Sequence, residues 1–251
     1  MISFKSSGEG KPYWLFLHGF LESSSMWSYL SLSEIPGEKF FVDLPGHGSS
    51  PLPKSSDEPS IAAMAEEVEK TFINHVENPI IVVGHSMGGY VGLELLHRNK
   101  LSIQKLVLLN SNCWEDSDDK KKDRVRVADI AFKGKSIFIN EAIPNLFYEP
   151  NLREKEIAVL KKEALELTAD GIAYASLSMR TRTDFSDLVK KNADKIVFIH
   201  GAKDKLISVE SISAVSNQKN LHLVENCGHM AHIEATEYVR SILTKIANFT
   251  E

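Results

Sequence analysis

Only two cysteines, Cys113 and Cys227, occur in the 251 residues. A disulfide framework is therefore excluded as the main source of stability, and free thiols in a reducing compartment are expected. The chain has no His-Glu-x-x-His helix and no Cys-x-x-Cys pair. Without them no metal site is expected, and the proximity of His229, His232 and Glu234 does not make one. No apolar run approaches a membrane span. The opening Met1-Ile2-Ser3-Phe4-Lys5-Ser6-Ser7-Gly8 lacks an apolar signal core, so a cytoplasmic location is expected. Basic residues are outnumbered, with 29 Lys and Arg against 34 Asp and Glu and a net charge of −5. Neither nucleic acid nor an anionic membrane is expected as a partner. Gly46-His47-Gly48 lacks the third glycine and the following helix of a dinucleotide fingerprint. Internal repeats and low-complexity linkers are missing too.

What is present suits one large core, or a core with an inserted subdomain: hydrophobic residues make up 43% and charged residues 25%. Ile2 to Lys5 and Tyr13 to Leu17 read as short strands around the turn Gly8-Glu9-Gly10-Lys11-Pro12. Met26 to Ser31 reads as helical, and Lys39 to Asp43 as a strand ending in the breaker-rich Leu44-Pro45-Gly46-His47-Gly48. Ser60 is placed to cap a helix over 61–75. Ile80-Ile81-Val82-Val83, Leu106 to Leu109, Ile196 to Ile199 and Leu221 to Val224 are further strands, and 236–247 a closing helix. Continuous apolar strands alternating with helices predict a parallel sheet buried on both faces. The rhythm breaks after Asn112. A charge run, Glu115 to Lys122, leads into a stretch that reads as helical, with Ile157, Leu160, Ala164 and Leu167 at helical spacing. Residues 1–112 and 184–251 thus predict an α/β core and 113–183 a helical insertion over it. The charge run reads as solvated surface.

The most informative stretch is Gly84-His85-Ser86-Met87-Gly88, between an apolar strand and the helical Tyr90-Val91-Gly92-Leu93. A serine between glycines on a sharp strand-to-helix turn is an exposed nucleophile at the positive end of a helix. A serine hydroxyl is a weak nucleophile at neutral pH. It needs a base, and the base needs an acid to fix its tautomer. In an open parallel sheet such groups gather at the carboxyl ends of strands. His229, after the last strand in Glu225-Asn226-Cys227-Gly228-His229, is the expected base. His232 is the alternative, its ordinary reading a helix-start or surface histidine. His75 and His97 lie on helices, His222 inside a strand, and His18 and His200 before tight glycine turns. His85 is held by the elbow and points away from Ser86. Asp204, after His200-Gly201-Ala202-Lys203, is the expected acid, with Glu225 as its competitor. Asp184, Asp187 and Asp194 precede that strand and are badly placed. Two backbone N–H groups are needed for an oxyanion: Met87, after the nucleophile, and Phe20, in His18-Gly19-Phe20.

Taken in order, Leu17-His18-Gly19-Phe20, Asp43-Leu44-Pro45-Gly46-His47-Gly48-Ser49-Ser50, Gly84-His85-Ser86-Met87-Gly88-Gly89, His200-Gly201-Ala202-Lys203-Asp204 and Gly228-His229 resemble the motifs of the α/β-hydrolase family. The set covers nearly the whole chain outside the insertion. The resemblance implies a mostly parallel eight-stranded sheet with a helical cap after the sixth strand, and a structural role for His47. Serine at the nucleophile position argues against dehalogenase chemistry. The expected activity is cleavage of carboxylic esters with small to medium acyl groups, through Ser86, Asp204 and His229, with no cofactor. A lyase or carbon–carbon hydrolase on the same triad, as in menaquinone-synthesis or meta-cleavage enzymes, is the alternative. A hydrolase-like protein that binds ligand without turnover is a further one. In the cap, Phe138, Leu146, Phe147 and Tyr148 are candidates to line the substrate pocket, with Ile137 and Ile143 beside them. Arg180 and Arg182 read as surface salt-bridge partners.

Overall fold

The computed structural model describes residues 1–53, 58–76 and 79–248. Its sheet holds seven strands: β1 (Phe4–Ser7), β2 (Tyr13–Leu17), β3 (Glu38–Val42), β4 (Ile80–His85), β5 (Ile103–Leu109), β6 (Ile196–Gly201) and β7 (Leu221–Val224). They lie in the order β1-β3-β2-β4-β5-β6-β7. Only β1 runs antiparallel, pairing Phe4 with Val42, and every other neighbouring pair is parallel. The helices are α1 (Ile61–Phe72), α2 (Met87–Arg98), α3 (Asp118–Lys133), α4 (Lys135–Ala142), α5 (Glu154–Glu166), α6 (Ala169–Arg180), α7 (Ser186–Lys191), α8 (Val209–Val215), α9 (Ala231–Glu234) and α10 (Thr236–Asn248).

The central strands carry continuous apolar runs, Ile80 to Val83, Leu106 to Leu109 and Ile196 to Ile199, because both faces of the sheet are covered. Leu15, Leu17, Ile80 and Val82 point into one core layer with Val68 and Phe72 of α1 and Val91 and Leu95 of α2. The intervening Trp14, Phe16, Ile81 and Val83 point into the other, against Trp27 and against Ile242 and Leu243 of α10. This is period-two alternation without a polar face. Local chemistry sets the helix starts. Ser60 Oγ accepts from Ala63 N–H at 3.1 Å to cap α1, and Thr168 Oγ1 accepts from Gly171 N–H at 3.0 Å to cap α6.

The structure corrects or refines three expectations. Among the described residues there are seven strands rather than eight, so the helical segment follows the fifth strand and not the sixth. The residues ahead of β1 add no partner to its free edge. The segment read as helix over 26–31 is a 3-10 helix, Ser24–Leu30, begun by Ser23 and stopped by Ser31 in the left-handed conformation, φ 48°. The charge run is not a plain break: α3 starts inside it, with Ser117 as cap and Asp118 and Asp119 in its first turn, where carboxylates favour the helix dipole.

Between β5 and β6 the chain forms α3 to α6 and returns to the sheet through α7. Ile139, Phe147, Ile157, Leu160 and Ala164 make a third apolar cluster, which takes in Leu21 and Met230 from loops beyond the strand ends and Ile233 from α9. The helical segment is therefore packed onto the carboxyl ends of the strands. Among the described residues no helix is long and apolar enough to cross a membrane.

Candidate active site

Ser86 sits between β4 and α2 with φ 48° and ψ −113°. A non-glycine residue holds such a conformation only where its surroundings over-determine it. Here they do. Ser86 N–H donates to Leu109 O at 3.0 Å, and Ser111 Oγ donates to Ser86 O at 2.7 Å. A Cβ on Gly84 would lie 2.4 Å from Gly88 O, and one on Gly88 would lie 2.1 Å from Leu17 O. Both glycines are required by close backbone approach, and the second brings the start of α2 against the end of β2. Met87 and the His18-Gly19-Phe20 loop are thereby neighbours.

Around this serine the sheet ends assemble a polar chain. His229 Nε2 lies 3.0 Å from Ser86 Oγ, and His229 Nδ1 lies 2.7 Å from Asp204 Oδ2. Asp204 Oδ1 accepts from the N–H groups of Leu206 at 2.8 Å and Ile207 at 3.2 Å. Burial of Asp204 opposes its charge, but the His229 imidazole and these N–H donors outweigh it and hold the carboxyl below its ordinary value. An ionised Asp204 takes the proton on Nδ1, which leaves Nε2 as an acceptor for the serine hydroxyl. Such a chain can remove a proton from Ser86 and return it to a leaving group. Glu225, the competing carboxylate, is exposed, as are Asp184, Asp187 and Asp194.

Some residues that hold this geometry were not singled out from sequence. Asn110, in the left-handed conformation at the end of β5 with φ 44°, donates to Asp204 Oδ2 at 3.1 Å and Gly228 O at 3.0 Å. Its Oδ1 accepts from Ala231 N–H at 3.3 Å. One buried amide thus ties the acid to both sides of the histidine loop. Glu234 carries the other tie: its carboxylate accepts from Gly228 N–H at 2.9 Å, Met230 N–H at 3.3 Å and Tyr148 N–H at 2.9 Å. His229 N–H itself donates to Leu146 O at 2.7 Å. Their partners lie 86 to 121 residues away in the longest of these contacts, so no local pattern could have signalled them. His232 is no surface residue. It is fully buried, and burial with His85 beside it lowers its pKa to about 3. Burial also lowers His47 to about 3, which keeps it neutral in its loop.

Ser86 and His229 open into a chamber of about 790 Å³. Phe20, Leu21, Phe138, Ala142, Leu146 and Leu206 form an apolar part of its wall. Of the four cap candidates, Phe138 and Leu146 line it. Phe147 is fully buried in the cap's own cluster, and Tyr148 is not on the wall. Ile137 is exposed and Ile143 buried in that same cluster. The short 3-10 turn at Pro144–Leu146 rotates successive side chains to different sides. Asp116, Lys120, Lys121, Arg124 and Arg126 also line the chamber, so part of the run read as solvated surface borders it. Arg182 is not a surface residue. Its guanidinium is buried, 2.6 Å from Asp116 and 4.3 Å above the Tyr90 ring, while Arg180 is exposed. Among the described residues no group of histidine, cysteine or carboxylate side chains is arranged to hold a metal ion.

The fold and the strand-end site define an α/β hydrolase, and comparison with known proteins agrees. The sequence model of the alpha/beta hydrolase family matches residues 14–241, and the chain belongs to that family. A thermophilic esterase from Thermogutta terrifontis superposes with a TM-score of 0.87 at 26% identity, over 98% of this chain and 94% of that one. MenH from S. aureus shares the fold, with a TM-score of 0.84 at 18% identity and 98% coverage of both chains. The 2-succinyl-6-hydroxy-2,4-cyclohexadiene-1-carboxylate synthase of Klebsiella pneumoniae is 21% identical over 94% of each chain. A probable lysophospholipase of Arabidopsis thaliana, BODYGUARD 5, is 34% identical over 112 residues, which are 41% of this chain but only 25% of the plant protein.

Proposed function

We propose that this α/β hydrolase is a serine esterase acting on carboxylic esters. The observation that carries the reading is the unbroken chain Ser86 Oγ, His229 Nε2, His229 Nδ1 and Asp204 Oδ2, with gaps of 3.0 and 2.7 Å. Ser86 Oγ attacks the ester carbonyl carbon as its proton passes to His229 Nε2. The N–H groups of Met87 and Phe20 hold the oxyanion, and Asp204 stabilises the imidazolium. Collapse breaks the bond to the alcohol, which leaves with the proton from His229. Water then gives a proton to His229 and attacks the acyl carbon, and Ser86 regains its proton as the acid departs. No metal or organic cofactor enters the scheme.

The substrate in this reading is a small molecule with a small to medium acyl group against Phe20, Phe138 and Leu146. A chamber of about 790 Å³ has room for a larger alcohol portion, and its charged wall suits a polar one. Two free, buried cysteines suit a cytoplasmic setting. A second reading, a lyase on the same triad, is supported by the end-to-end similarity to the Klebsiella synthase. Turnover of p-nitrophenyl esters of increasing acyl length separates the two. The esterase reading expects a chain-length optimum and a loss of about 10⁴-fold or more in kcat for Ser86→Ala. Folded protein that turns over none of these esters, or a Ser86→Ala variant with wild-type rates, refutes it.

A further inference from the structure

Behind the triad lies a second polar group that the scheme above does not use. Glu22, His85 and His229 are all buried. Gly19 N–H donates to Glu22 Oε2 at 2.8 Å, and His85 Nδ1 lies 2.8 Å from the same oxygen. His85 Nε2 lies 3.0 Å from the backbone carbonyl oxygen of His229. Both ring nitrogens of His85 therefore face acceptors. A neutral imidazole has one N–H and can serve only one of them, whereas an imidazolium serves both. Glu22 already takes an N–H from Gly19 on the facing oxygen, as an ionised carboxylate does.

The surroundings are built around the pair. A Cβ at position 19 would lie 2.4 Å from Glu22 Oε2 and 2.7 Å from His85 Nδ1, so only glycine fits. The other titratable groups facing it are His18 and Asp204 from strand ends, His229 from the last loop and His232 from α9. The His232 and His85 rings lie 4.8 Å apart. His18 and His232 are both pushed down by burial and are neutral, so neither competes as a cation. Glu22 is penalised by burial, yet the charge and hydrogen bond of His85 bring it down to about 2. For His85 burial is likewise outweighed by Glu22, and its pKa is raised.

We propose that Glu22 and His85 form a buried carboxylate–imidazolium pair that locks the oxyanion loop and the base loop to each other across the nucleophile elbow. Both are positioning residues. Glu22 fixes the peptide next to Phe20, His85 fixes the backbone of His229, and His85 is the chain neighbour of Ser86. The positioning role rests on the serine-hydrolase reading; the charge state of the pair does not.

Two measurements test it. In protein labelled with ¹⁵N at histidine and along the backbone, the His85 ring is assigned through Gly84 and Ser86. At pH 8, above the ordinary histidine value of about 6.5, both its nitrogens should carry protons. A neutral tautomer at His85 overturns the pair. The second measurement is the rate at which an alkyl fluorophosphonate modifies Ser86, in wild type, Glu22→Gln, His85→Gln and the double variant, alongside p-nitrophenyl ester kinetics. Labelling and kcat should fall about 10- to 100-fold in each single variant, with KM little changed. The double variant should be no worse than the weaker single, because one shared device is lost. Single variants that label at the wild-type rate, or losses that multiply in the double, overturn the positioning role. A wild type that never labels at Ser86 removes the hydrolase reading and the positioning role with it, while the His85 signal still reports the pair.

Discussion

Asp204→Asn is the substitution whose consequence the structure specifies most closely. An asparagine side chain has one oxygen and one NH₂, and its neighbours decide which goes where. The Oδ1 position faces the N–H groups of Leu206 and Ile207 at 2.8 and 3.2 Å, so the amide oxygen is held there. The NH₂ must then take the Oδ2 position, 2.7 Å from His229 Nδ1 and 3.1 Å from the amide nitrogen of Asn110. A donor facing Nδ1 forces the imidazole proton onto Nε2. That nitrogen can no longer accept the proton of Ser86 at 3.0 Å. The fold should survive, since shape and most hydrogen bonds persist, but the base is in the wrong tautomer. We expect kcat to fall by roughly 10³- to 10⁴-fold, which is about 4 to 5.5 kcal/mol of barrier, with KM close to wild type. Steady-state ester hydrolysis and fluorophosphonate labelling of Ser86 both read this loss. The reasoning is refuted if Asp204→Asn stays within tenfold of wild type, or if Glu225→Gln is the crippled variant.

Phe147→Ala removes a ring that is fully buried in the cap cluster, and denaturant unfolding should show a loss of about 3 to 5 kcal/mol. Phe138→Ala enlarges the chamber wall instead, so the acyl-length optimum should move to longer esters with little change in stability. Asp116 is held between Arg182 at 2.6 Å and Arg124 at 2.9 Å, and Asp116→Asn should cost about 3 kcal/mol by leaving buried Arg182 without its counter-charge. Burial raises the Asp116 pKa, but the two arginines outweigh it and set the folded value below 3.8. Its contribution is thus present above pH 3.8 and lost as pH falls through the folded value. Stability measured against pH should show the Asp116→Asn deficit shrinking below pH 3.8; a deficit that stays constant would contradict the ion-pair origin.

The parallel core was legible because its strands must be apolar on both faces, and runs such as Ile80-Ile81-Val82-Val83 have few other uses. The eighth strand came from family resemblance alone, and the described residues form seven. Ser86, Asp204 and His229 could be picked out because each sits in a short local context at a strand end. The structure brings the three together, and their catalytic roles belong to the proposal above. Glu22, Asn110 and Glu234 were invisible for the opposite reason. Each is an ordinary polar residue whose meaning lies in partners tens of residues away, such as Glu22 with His85 across 63 residues. Arg182 misled in the same way: nothing around it in the chain announces Asp116, 66 positions earlier. In the helical segment, apolar character marked Phe138, Leu146 and Phe147 alike, yet Phe138 and Leu146 line the chamber while Phe147, next after the 3-10 turn Pro144–Leu146, is buried in the cluster.

The backbone rung between Leu146 and His229 has a bearing on evolution and on engineering. A helical segment exchanged between relatives at its two chain junctions would bring new chamber contacts, but it would also replace the residue whose carbonyl holds the backbone of His229, the proposed base, in register. Gly228 tolerates that segment only because it has no Cβ: one would lie 2.6 Å from Tyr148 N and 2.7 Å from Leu146 O. In the proposed esterase, specificity and catalysis are therefore not separable modules. A successful graft must carry Leu146, Tyr148, Gly228 and Glu234 together, and a lineage that acquires a new cap must re-sew that seam before it can use it.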